Sequence, residues 1–248
     1  MADDDKPAPR RAWWRGVLRW LAEFGVYLVI AVVVVSLVRI FLVQPFTVPS
    51  GSMQETLLVG DSIVAWKPSP PKRGEVVVFR DDLHWLGPAP VAPTWKRVLS
   101  WVWVLPPQDE QYLVKRLIGL PGDHVTCCDA SGRISVNGVP LDETTYLYYS
   151  NTATAHRSFD IVVPAGHIFV MGDHRDASAD SRYHMCNGAT PTPELTFPSI
   201  DAIQGRAFAI LRPFIRTQTL AIPDAFAGVP PPASPAPDPG ATASWTCA

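Results

Sequence analysis

The sequence predicts a mainly β domain carried on a single N-terminal membrane-spanning helix. Three observations carry that expectation. A stretch without a single charge runs from Phe24 to Val38. Beyond Gln44 the chain breaks into short segments rich in β-branched and aromatic residues, each bounded by turn residues. Long runs with helical amphipathic spacing are missing from that part.

Length and composition frame the elements. The 248 residues suffice for one large or two small domains with a core, and a hydrophobic content of 47% excludes a wholly disordered chain. A formal net charge of -2, with no basic stretch outside the first turns, gives no reason to expect nucleic-acid binding.

The first segment, 1–19, sets Lys6, Arg10, Arg11, Arg15 and Arg19 against Asp3, Asp4 and Asp5. The second, 20–43, is the anchor. Phe24 to Val38 alone makes only about 22 Å of helix, short of a hydrocarbon core of about 30 Å. Trp20 to Leu42 reaches about 34 Å and takes in Glu23 and Arg39, whose heads can snorkel to the interface. The apolar stretch is too long for a cleaved signal peptide, and no small-residue cleavage site precedes Gln44-Pro45, so the span is expected to stay. The basic flank puts the N-terminus in the cytoplasm and everything after Gln44 outside.

Segments 44–122 and 168–215 form the expected β core. Its strands are Glu75–Phe79, Tyr112–Ile118, Ile168–Met171 and Ala207–Leu211. Between them, 123–167 reads as an inserted β subdomain containing Arg133–Val136 followed by the Asn137-Gly138 hairpin signal. Another insertion, 81–111, carries Trp85, Trp95, Trp101 and Trp103 with Lys96 and Arg97. Basic residues among tryptophans suit a bilayer interface, and an apolar hairpin packed on the domain is the other reading. The remaining segment, 216–248, is Pro/Ala-rich, most of all from Pro223 on, and is expected to be disordered because it has little to bury.

Chemistry starts at Ser52, on a Gly-containing turn close behind the anchor. It is the ninth residue after Val43, so it lies within about 30 Å of the membrane segment. A serine hydroxyl needs a base to become a nucleophile. The histidines (His84, His124, His156, His167, His174, His184) are scattered through loop and turn contexts. Lys115 differs: strand alternation puts it on one face with Leu113 and Leu117, while Arg116 shares the other with Val114 and Ile118. A lysine on a leucine-lined face either snorkels at an edge or is buried with its pKa lowered by desolvation, which would make it a base.

These segments, in this order, resemble the bacterial type I signal peptidases, the membrane-anchored Ser-Lys proteases that cut signal peptides from exported proteins. The resemblance rests on Pro49-Ser50-Gly51-Ser52-Met53 with Thr56-Leu57 and Gly60-Asp61, then Arg73-Gly74-Glu75-Val76-Val77-Val78-Phe79. It continues through Lys115-Arg116-Leu117-Ile118-Gly119-Leu120-Pro121-Gly122-Asp123 and Met171-Gly172-Asp173-His174-Arg175-Asp176-Ala177-Ser178-Ala179-Asp180-Ser181-Arg182. It implies a signal-peptidase-like (LexA-like) β catalytic domain with a smaller inserted β subdomain. Ser52 then resembles the acylated nucleophile and Lys115 the general base. The Ser52 backbone N–H and the Ser50 hydroxyl resemble the oxyanion hole, Ser178 the serine that orients the lysine amine, and Asp180 with Arg182 a supporting ion pair. His174 stands where the family usually has Asn, Met185 where a Gly often closes the motif, and Glu55 where a Pro commonly precedes Thr56.

The resemblance further implies cleavage of exported preproteins after small residues of the Ala-x-Ala type, at the plasma membrane, near the lipid bilayer and the secretion translocon, with no metal or other cofactor. A peptidase dedicated to one partner and a non-enzymatic membrane-tethered β scaffold are the alternatives. A self-cleaving repressor shares the chemistry but needs a DNA-binding domain where this chain has an anchor. Four cysteines, Cys127, Cys128, Cys186 and Cys247, fall on the outer side, where disulfides persist. One bridge from Cys127 or Cys128 to Cys186 is expected; a zinc site is not, since adjacent cysteines lack the usual ligand spacing.

Overall fold

The structure is a computed structural model, and it describes residues 10–88, 93, 111–148, 158–187 and 190–238. It divides into two units, Met1–Leu42 and Val43–Ala248. Among its described residues the first holds one helix, α1 (Arg10–Phe41), of 32 residues. Its portion Trp13–Phe41, none of it buried, contains an 18-residue window of mean hydropathy 2.6 and is long and apolar enough to cross a membrane. Phe24, Tyr27, Leu28, Ile30 and the valines Val32 to Val35 are exposed all round it, a pattern suited to lipid and not to one packed face. Helix begins at Arg10, ahead of the boundary expected at residue 20. Val43, expected to close the anchor, is instead the first residue of a strand, because it is paired with Trp66.

The second unit is built from strands β1 (Val43–Thr47), β2 (Ser62–Trp66), β3 (Val76–Arg80), β4 (Tyr112–Gly119), β5 (His124–Cys127), β6 (Ser135–Val136), β7 (Val139–Pro140), β8 (Phe159–Val162), β9 (Phe169–Met171), β10 (Cys186–Asn187), β11 (Thr190–Pro191), β12 (Ile203–Arg212) and β13 (Gln218–Thr219). Two one-turn helices, α2 (Ser181–His184) and α3 (Pro193–Thr196), lie between β9 and β12. The main sheet runs β1-β2-β12-β3-β4-β9, with β13 added to β12, and its pairs are antiparallel. A second sheet, β7-β6-β5-β8, falls within 123–167, and its hairpin turns at Asn137-Gly138 as its sequence demands.

β4 positions the site. It is flanked by β3 and β9 and is buried from Leu113 to Gly119 on both faces, which explains its near-continuous apolar sequence. Leu113 and Leu117 pack with Phe79 and Val170. Val114 packs with Met53, Leu57, Val78 and Ile210. Ile118 joins Val125, Ile161 and Phe169 in the core that covers the second sheet.

The tail departs from expectation. Through Asp238 it is docked on the domain. Phe226 is 6% exposed within the core around Phe169 and lies 6.3 Å from the Tyr146 ring. Pro237 accepts a hydrogen bond from Ala165, and Pro230 accepts one from the Asn137 amide. Gly74 leaves the room required: at φ +82, a Cβ there would come within 2.6 Å of the Phe226 ring. Composition missed this because one large aromatic among prolines suffices to seat the segment, and prolines lose little entropy on ordering. Phe226→Ala is expected to cost about 3–4 kcal/mol, read as a lowered midpoint in thermal unfolding; an unchanged midpoint would mean the tail is not seated.

Of the tryptophan insertion, Trp85 is described, whereas Trp95, Lys96, Arg97, Trp101 and Trp103 lie outside the described residues. Cys127 is joined to Cys128, and Cys186, also disulfide-bonded, packs against the same core. Cys247 lies outside the described residues.

Candidate active site

The loop between β1 and β2 is tied shut at its base. Val48 N–H donates to Asp61 O and Gly60 N–H to Val48 O, both at 2.9 Å, while the Asp61 carboxylate accepts from Leu58 N–H. Inside it, Ser50 is extended and a single 3₁₀ turn runs from Gly51 to Met53. Met53 and Leu57, 1% and 0% exposed, sink into the core and fix that turn. Ser52 is thereby held nearly buried at 7% exposure. Glu55 follows at φ +85. A proline, locked near φ of about −65°, cannot adopt that geometry, so this chain turns differently where the resembling family commonly has Pro.

Lys115, opposite Val77 in the β3–β4 ladder, is buried at 3% exposure. Burial, not snorkelling, is therefore its state. The ammonium Nζ donates to Ser52 Oγ at 2.7 Å. Desolvation is the largest influence on it and lowers its pKa to about 8, partly opposed by the Asp180 and Asp173 carboxylates and assisted by Arg182. An amine with that pKa is neutral in a useful fraction near neutral pH, where it can take a proton from a hydroxyl. Ser50 Oγ stands 3.4 Å from Ser52 Oγ. A cleft of about 350 Å³ opens above the pair, with Val48, Pro49, Met53 and Val114 in its lining.

Segment 171–182 supports both partners. β9 brings Met171 opposite Arg116. At Gly172 the chain passes so close to Ser178 and to the Ser52 carbonyl that a Cβ would lie 2.5 Å from Ser52 O. His174 N–H then donates to Ser52 O at 3.0 Å. The Asp180 carboxylate accepts from Gly172 N–H and from Arg182, capping α2 while keeping the turn in place. So the expected Asp180–Arg182 pair is present, at 3.0 Å, and both members are buried.

Ser178 stands close behind the turn at Gly172. It is buried, and its Oγ has no hydrogen-bond partner. His174 presents its ring to Tyr148, 4.4 Å between centroids, and its Nδ1 is likewise buried without a partner. Met185 fills core volume at 4% exposure.

Sequence reasoning overlooked the ion pair beneath the site. Arg116 and Asp173 are 2% and 0% exposed and pair at 2.6 Å. Arg116 also donates to Gly74 O and lies 4.1 Å over the Tyr146 ring, and Thr56 Oγ1 donates to the same Asp173 carboxylate. The signal was present: an arginine sharing a strand face with Val114 and Ile118 is anomalous unless it has a buried partner.

A nearly buried serine hydroxyl bonded to a buried amine of lowered pKa can carry out acyl transfer, which puts the protein in the class of serine hydrolases. Residues 21–212 match the family described as signal peptidase, peptidase S26, and the chain belongs to that family of serine endopeptidases. A signal peptidase I of Mycobacterium tuberculosis (strain H37Rv) is 35% identical over 239 residues, covering 86% of this chain and 77% of the relative. One from Pseudomonas fluorescens is 30% identical over 230 residues, covering 77% and 72%. A crystal structure of a signal peptidase I from Enterococcus faecalis V583 aligns with a TM-score of 0.34 at 25% identity, over 56% of this chain and 97% of that one.

Proposed function

We propose that the protein removes signal peptides from exported preproteins by a Ser52–Lys115 acyl-enzyme mechanism. The observation that supports it best is the 2.7 Å bond between Lys115 Nζ and Ser52 Oγ in a site that lowers the lysine's pKa to about 8. The signal peptide's C-terminal part lies extended in the cleft, small residues of the Ala-x-Ala type entering shallow pockets near Ser52. Neutral Lys115 takes the Ser52 proton as Oγ attacks the carbonyl carbon. The negative charge that develops on the carbonyl oxygen is met by the Ser52 N–H and the Ser50 hydroxyl. Lys115 then gives the proton to the departing amine of the mature protein. Water, deprotonated by the same amine, releases the signal peptide.

The supporting residues act through position. Ser178, with an unpaired buried Oγ, is suited to bond the Lys115 amine once that amine is neutral, because a buried hydroxyl gains by finding a partner. Asp180 and Arg182 hold the turn that carries it. The helix α1 anchors the domain at the plasma membrane, and the arginines at its start favour a cytoplasmic N-terminus and an extracytoplasmic site beside the bilayer and the translocon.

The test is cleavage of a preprotein by the purified protein, with N-terminal sequencing of the product. Ser52→Ala and Lys115→Ala are each expected to lower kcat by at least about 10⁴-fold without unfolding the domain. Lys115→Arg is expected to fail equally, since a guanidinium stays protonated. Wild-type cleavage by any of the three would refute the assignment. A penem probe that acylates wild type but not Ser52→Ala separates this reading from a binding scaffold, and several unrelated preproteins offered together separate general processing from service to one partner.

A further inference from the structure

The loop that follows β3 holds one exposed leucine unusually firmly. Both oxygens of the Asp81 carboxylate accept backbone hydrogen bonds at 2.8 Å, one from Trp85 N–H and the other from Leu86 N–H. The Trp85 indole N–H donates to Leu195 O at 2.8 Å, and its ring stacks on His184 at 4.5 Å. The Asp82 carboxylate ties the same loop to Ser199 N–H. His84 sits at φ +57, in the left-handed region that shapes a tight turn. All this fixes Leu86, which is nevertheless 52% exposed and lines the cleft that holds Ser52 and Lys115. Single exposed leucines are ordinary on loose surfaces. One clamped in place at the rim of an apolar cleft has a contact to make.

We propose that Leu86 is a specificity-determining residue that reads an apolar side chain of the substrate well upstream of the cut. The proposal rests on the endopeptidase reading above. Position follows from β4. Leu86 shares the end of the cleft with Gln111, which accepts from Asp81 N–H at 2.9 Å and leads directly into β4. Gln111 precedes Lys115 by four residues, about 13 Å of extended chain. A substrate lying alongside β4 with its reacting carbonyl at Ser52 covers that span in the same number of residues. Leu86 therefore meets the fifth residue before the cut bond, where the hydrophobic stretch of a signal segment gives way to its extended end. The small-residue preference proposed above concerns positions beside Ser52, so the two preferences are expected to be independent.

The experiment uses the full-length protein in detergent micelles and peptides identical except for Leu, Asp or Lys at the fifth residue before the cut. Wild type is expected to favour Leu over Asp by about tenfold in kcat/KM, the difference lying in KM. Leu86→Asp, at an exposed position, is expected to lose the preference for Leu and to favour Lys over Asp by about tenfold in kcat/KM. Changing the residue next to the cut is expected to affect both proteins equally. The same ranking of the three peptides by wild type and Leu86→Asp would overturn the proposal while leaving the endopeptidase reading intact. A wild-type protein that cleaves none of them would overturn both.

Discussion

Lys115→Met is expected to abolish cleavage and to raise thermal stability at neutral pH. A native lysine with a pKa of about 8 has lost its proton well below the ordinary 10.5. Between those values the unfolded chain carries a proton that the native protein does not, so wild-type stability climbs with pH across that window. Below pH 8 both states are protonated and the native state bears the full cost of a buried charge. Methionine has a similar shape and no charge, so the advantage of the variant is greatest below pH 8 and fades toward pH 10.5. The shift sets an upper bound of about 3 kcal/mol, and loss of the bond to Ser52 trims it to about 1–3 kcal/mol. Urea unfolding of both proteins at pH 7 and pH 10 measures it. A variant less stable than wild type at pH 7 would show that desolvation does not dominate at this lysine. The same cause predicts the pH–rate profile of wild type, which rises with a midpoint near pH 8 as the base loses its proton.

That conflict between stability and chemistry also explains what the sequence could and could not say. Strand alternation put Lys115 on a leucine-lined face, but alternation leaves open whether the strand is an edge or lies inside a sheet. Burial comes from β3 and β9 on either side, and β9 arrives from more than fifty residues away, beyond the reach of any local pattern. The outer strand β1 was hidden by Pro45 and by the anchor that runs into it; an edge strand tolerates a proline that an inner strand would not. Ser52 was recognisable because a turn serine behind an anchor is rare company for a lysine of that kind. The pairing of Asp173 with Arg116 was not, because neither residue reveals its partner until β4 and β9 lie side by side. The docked tail failed for the opposite reason: composition averages over a segment, and one phenylalanine against Gly74 decides its fate.

Breaking the Arg116–Asp173 pair should be the costliest change near the site. Arg116→Met leaves a carboxylate that is 0% exposed without its bonded cation, and Asp173→Leu leaves a guanidinium that is 2% exposed without its bonded anion. Either single variant is expected to lose about 3–5 kcal/mol. The double variant removes both charges and fills similar volume, so it is expected to recover at least about 2 kcal/mol of that loss, a coupling that urea unfolding of the four proteins measures directly. Purely additive losses would mean that each residue acts through separate contacts, Arg116 through Gly74 O and the Tyr146 ring and Asp173 through Thr56. A second readout ties the pair to the chemistry. The Asp173 carboxylate helps hold the Lys115 proton, so its removal lets desolvation act with less opposition. The double variant is therefore expected to cleave with a pH–rate midpoint below that of wild type, even though its refilled core has regained stability. A midpoint that stays near pH 8 in a well-folded double variant would leave Asp180 as the carboxylate that sets the proton affinity of the lysine.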